Sequence, residues 1–134
     1  MVTMATYAET LEKGIDLFNE GKFFEAHKAW EPLWRATEDP LEKQLFQGLI
    51  MAAGAFYHYV NRACTGAAVL LSKSRKALES GMITHPELRI VDFLKSLGAL
   101  RDVFEQCSFS LPVNELPKIP KQRGPLLQRE VYEV

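Results

Sequence analysis

Apolar residues recur along this chain at helical spacing, and no stretch shows the alternation of a half-buried strand. Leu11, Ile15 and Phe18 fall one turn apart behind Thr6 and Glu9, which stand in capping-box order. Gly21 follows, and a left-handed helix end is easiest without a Cβ, so the first helix is predicted to close there. Phe23, His27, Trp30 and Trp34 form the stripe of a second helix over 22–36. Pro32 lies inside it, removing a backbone donor and crowding the carbonyl of Lys28, which predicts a kink or an early end. Asp39-Pro40-Leu41-Glu42 is a strong helix start: Asp39 as cap, Pro40 in the first position, Glu42 near the positive end of the dipole.

The helix that begins there, over about 40–60, carries the most information. From 45 to 60 it is apolar nearly all round, the mark of a helix surrounded by others. Gly48, Ala52, Ala53, Gly54 and Ala55 would let neighbours approach closely. A fourth helix is predicted from Thr65 to Gly81, with Ala67, Leu70, Leu71, Ser74 and Leu78 inward. Thr84-His85-Pro86-Glu87 is expected to open a fifth, whose stripe is Ile90, Phe93, Leu97, Leu100 and Phe104. After Cys107 the pattern stops, and Pro112, Pro117, Pro120 and Pro125 forbid a long helix. Leu111, Val113, Leu116 and Ile119 alternate with prolines and polar residues there, so part of this tail should dock while staying extended. The expected fold is all-α: a single helical bundle of about five helices around a buried central helix. Residues 1–107 form the bundle, and 108–134 an extended, proline-containing tail packed on the same domain.

Composition narrows the function classes. A chain of 134 residues has room for one core, and a net charge of −1 argues against a nucleic-acid partner or a polybasic membrane surface. The apolar run 45–60 falls short of a bilayer span, and the amino terminus lacks the basic-then-apolar order of a secretory signal. Cys64 and Cys107 make no visible disulfide framework, so a cytoplasmic location is expected. Neither is expected to act as a nucleophile. Lys73, Arg75 and Lys76 read as the solvated face of the fourth helix, and His85 as helix-start chemistry.

A few polar residues break the apolar logic. His27 and Glu31 are four apart on one helix face. Gln47 and His58 lie eleven positions apart, close to three turns (about 10.8 residues), so they share a face with Met51 and Gly54 between them. An unsatisfied buried polar group costs about 1–3 kcal/mol, which predicts that the polar edges of helices two and three meet. The candidate cluster is Glu25, His27, Glu31, Arg35, Gln47 and His58. A purely structural network explains it without a ligand. As a site, His27, Glu31 and His58 would offer a mononuclear metal two imidazoles and a carboxylate. Without metal the same groups would serve acid–base chemistry or hold an anion.

Phe18-Asn19-Glu20-Gly21-Lys22-Phe23-Phe24-Glu25-Ala26-His27, then Trp30-Glu31-Pro32-Leu33-Trp34-Arg35, Phe46-Gln47-Gly48-Leu49-Ile50, Tyr57-His58 and Gly66-Ala67 closely resemble the bacterial and plastid family called domain of unknown function 309. The likeness covers about residues 10–80. It implies a small all-α domain and no established activity; Lys28 stands where the family carries an acid. Gly21-x-Phe23-x-x-Ala26 is also similar to the turn of a tetratricopeptide hairpin, which implies a partner-binding scaffold. The expected function is a binding or structural module without a cofactor, taking a small ligand or a protein partner. The alternatives are an enzyme, such as a metal-assisted hydrolase with a divalent ion on the same cluster, and the tetratricopeptide-like scaffold. Homo-oligomerisation stays open.

Overall fold

A computed structural model describes residues 4–120. Six α-helices follow one another: α1 (Met4–Asn19), α2 (Phe23–Ala36), α3 (Pro40–Val60), α4 (Cys64–Gly81), α5 (Ile90–Ala99) and α6 (Arg101–Glu105). Short 3-10 turns occupy Met82–Thr84 and Val113–Glu115, and no strand occurs among the described residues. The all-α bundle with a central helix is thus the observed fold.

The predicted start and stop signals act where the chemistry puts them, with three exceptions. Asp39 caps α3 by accepting from the Glu42 amide at 3.0 Å, with Pro40 as the first helical residue. Gly21 takes φ +84, and the amides of Gly21 and Lys22 donate back to the carbonyls of Phe18 and Leu17, the paired bonds of a Schellman cap. The first exception is α1, which begins at Met4, ahead of Thr6. The second is the early end that Pro32 offered as an alternative to a kink: α2 runs on through it to Ala36, the end expected from its stripe. Pro32 and Lys28 both sit on the solvent side, where water can serve the carbonyl that loses its partner. The third is the start of the fifth helix, which comes at Ile90 instead of Thr84, and its stripe divides at Leu100 into α5 and α6. The His85 side chain is tied to two carboxylates, so this segment is a clasp instead of a helix start.

Helix α3 is buried along Leu45, Phe46, Gly48, Leu49, Ala52, Ala53, Ala55, Phe56 and Tyr59. Its tightest partner is α4, because both helices present glycine where they cross. A Cβ on Gly81 would run into the Leu45 amide nitrogen, and one on Gly48 would meet Leu78 at 2.7 Å. Ser74, fully buried, donates its hydroxyl to the Gly48 carbonyl at 2.7 Å across this contact. From the other side Phe18 of α1 gathers Phe23, Trp30, Phe56 and Phe93, its ring 4.9 Å from Phe56. Trp30 is sealed, donating its indole N–H to the Leu11 carbonyl at 3.2 Å over Gly14.

The tail from Ser108 to Pro120 contains no long helix and docks on the bundle. Leu116 and Ile119 are buried, Phe109 and Leu111 partly so, while Val113 stays exposed. Asn19 grips Ile119 with two bonds, its amide N donating to the Ile119 carbonyl and its amide O accepting from the Ile119 N–H. Tyr59 donates its hydroxyl to the Ser108 carbonyl at 2.8 Å. Residues 121–134 of the predicted tail, Pro125 among them, lie outside the described residues.

A disulfide joins Cys64 to Cys107, contrary to the expectation of two unpaired thiols. The sequence hides it because the two lie 43 positions apart, and only the packing of α6 beside the start of α4 brings their Cα atoms to 5.5 Å. Cys107 is also the left-handed residue (φ 55) that ends α6, with the Ser108 amide donating back to Val103. The bridge therefore fixes both the helix end and the departure of the tail. Cross-linking a loop of this length contributes about 2–4 kcal/mol by restricting the unfolded chain. Urea unfolding with and without reductant should show a loss of that size on reduction; coincident curves would contradict it.

Candidate functional site

The buried stripe of α2 is Phe23, Ala26, Trp30 and Leu33, so His27, Glu31 and Trp34 flank the core instead of entering it. On α3 the spacing of Gln47, Met51, Gly54 and His58 does align them, but all four are only half-buried. They form the open face of a helix whose other faces are sealed. The expectation that buried polar groups must find partners therefore loses its premise here, since these side chains reach solvent.

The six candidate residues fall into separate arrangements. His27 Nε2 lies 3.5 Å from Glu31 Oε2, and Arg35 Nη2 lies 3.9 Å from Glu31 Oε1, a ladder at i, i+4 spacing along α2. Arg35 is largely exposed, and at that distance its pairing is a surface contact of small worth. Glu25 is exposed and forms no ion pair among the described residues. Gln47 makes no hydrogen bond there either. The His58 ring lies over Gly66 at the first turn of α4, where a Cβ would meet it at 3.3 Å.

No hydrogen bond or ion pair links His27 to His58, yet a row of rings runs between them. The His27 ring is 6.5 Å from Phe24, Phe24 is 5.8 Å from Tyr57, and Tyr57 is 6.1 Å from His58. Phe24 is 50% exposed and Tyr57 42%, an unusual outlay of aromatic surface to leave in water. Beside them opens a surface pocket of about 360 Å³ lined by Gly21, Phe23, Phe24, Glu25, Tyr57, Val60 and Asn61. Sequence periodicity could have marked Phe24 and Tyr57, because each stands next to a buried aromatic and off its stripe.

The set His27, Glu31 and His58 does not converge as a metal site: among the described residues, no group of three or more His, Cys, Asp or Glu is placed to hold a metal ion. Trp30 is core; Trp34 has the Lys43 ammonium 4.4 Å over its ring, and its buried indole N–H has no hydrogen-bond partner among the described residues. No helix among the described residues is long and apolar enough to cross a membrane.

Fold and surface together define a small all-α domain with one open helix face and an exposed ring row. Residues 11–70 match the family model described as domain of unknown function (DUF309), so over that span the chain is similar to this family. The matched span contains α2, α3 and every candidate residue. No curated protein and no solved structure matches the chain.

A second polar cluster lies at the other end of α3. His85 Nε2 meets Glu42 Oε2 and His85 Nδ1 meets Glu87 Oε2, each at 2.7 Å, with the Phe46 ring 5.7 Å away. Burial opposes the charged imidazole, but the hydrogen bonds and charges of Glu87 and Glu42 outweigh it and raise its pKa above 6.5. The folded state then binds this proton more tightly than the unfolded chain. The clasp's contribution is full below about pH 6.5 and fades as pH rises through the raised folded value. Urea midpoints across about pH 5–9 should fall in wild type relative to His85→Gln as that range is crossed. A difference between the two that does not change with pH would contradict the clasp.

Proposed function

We propose that this protein is a binding module whose recognition surface is the ring row His27, Phe24, Tyr57, His58 together with the pocket beside it. The observation that carries this reading is the exposure of Phe24 and Tyr57, side by side at the junction of two helices whose other Phe, Tyr and Trp rings are buried or, for Trp34, partly buried. Large rings supply contact area at low entropic cost, and anchors of this type, flanked by polar groups, dominate protein interfaces. The polar groups at the edges, His27 with Glu31 on one side and His58 on the other, would orient a partner instead of transforming it. Among the described residues no convergent donor set supports the metal-assisted hydrolase. A protein partner fits better than a small molecule, because the pocket opens widely beside an apolar patch that continues through Val60.

Nuclear magnetic resonance with the isotope-labelled chain tests this directly. Across a panel of unrelated capped peptides, those that bind should shift amides within 24–31 and 54–61 and leave the α4–α5 face unmoved. Binders that map consistently to another face, or a panel without any binder, would overturn the reading.

A further inference from the structure

The pocket beside the ring row has a charge preference. Glu25 contributes a carboxylate to its wall, and Asn61 an amide whose nitrogen is already used, donating to the Tyr57 carbonyl at 2.8 Å. The Asn61 amide oxygen is thus left as an acceptor. Tyr57, Val60 and Asn61 also belong to the C-terminal turn of α3, a helix of 21 residues whose partial negative charge there favours a cation. Phe24 and Tyr57 add π faces, which attract cations again. Of the chain's own cations nearby, Lys22 pairs with Glu20 at 3.4 Å and Arg62 stacks 4.4 Å over Phe109, while Lys28 lies 5.8 Å over the Phe24 ring itself, so that ring already attracts a cation from its own helix.

We infer that this pocket takes an arginine side chain presented by a partner protein, its guanidinium lying against Phe24 and Tyr57 and hydrogen-bonded to Glu25. This rests on the recognition surface proposed above and adds the chemistry of the group it receives. Arginine suits it better than lysine because its planar group stacks on rings while donating in the plane to a carboxylate. A flat, weakly hydrated cation also leaves water more readily for so open a site.

The test uses the full chain and two capped pentapeptides, one with a central arginine between leucines and its citrulline counterpart, which keeps the shape and removes the charge. The arginine peptide should shift the amides of Phe24, Glu25, Tyr57 and Asn61 saturably, with citrulline binding about tenfold more weakly. Glu25→Gln should produce a similar loss and Glu25→Asp a smaller one, each with only a small change in melting temperature, because Glu25 is exposed and its one structural role is a charge in the first turn of α2. Equal binding of the two peptides, indifference to Glu25→Gln, or no shift with the arginine peptide would overturn the inference. Equal shifts at the same amides would leave the recognition surface standing while its charge preference fell. Failure of the wider peptide panel would remove the surface itself.

Discussion

The rest of the molecule depends on how closely α4 lies against α3. Gly48 and Gly81 stand at the crossing, where a Cβ on Gly81 would collide with the backbone of Leu41 and Leu45 and leave no soft atom to move aside. The buried Ser74 hydroxyl closes the contact onto the Gly48 carbonyl. Such closeness turns van der Waals attraction into a continuous seam, and any added volume would have to push two backbones apart. Once α4 is seated, α3 presents its aromatic side to Phe18 of α1, and α2 and α5 converge on that ring.

Enclosing α3 this way leaves one face over. Gln47, Met51, Gly54 and His58 run along it half-buried, and Tyr57 and Val60 stand exposed at its end, beside Phe24. The carboxyl-terminal part of the described chain does not cover this face. It is held by the disulfide, by Tyr59 and by Asn19, and it buries Leu116 and Ile119 instead. Scaffold and recognition surface thus share one helix, with little overlap between the residues that serve each.

Much of this was legible in the sequence because the signals were local. Asp39-Pro40, Gly21 and the apolar run of α3 each act within a turn or two of chain, and the structure uses them as written. What stayed hidden required distant parts to meet. Cys64 and Cys107 carry no motif that announces their pairing, and His85 looked like a helix start because Glu42 lies 43 positions away. The polar cluster was legible as spacing but not as environment. Gln47 and His58 do align, yet a helix apolar nearly all round does not reveal which narrow stripe its neighbours leave uncovered. Likewise His27 shared a nominal stripe with Trp30, while the true buried line runs through Ala26 and Leu33.

Central to this account is that Phe24 and Tyr57 serve recognition and not folding. Equilibrium unfolding of the double variant Phe24→Ala, Tyr57→Ala, set beside Phe56→Ala, measures that most directly. The account predicts a loss below about 1.5 kcal/mol for the exposed pair, the scale of one aromatic contact. It predicts about 3–5 kcal/mol for the fully buried Phe56. A loss for the exposed pair as large as that for Phe56 would show that the two rings hold the bundle together and would contradict the account.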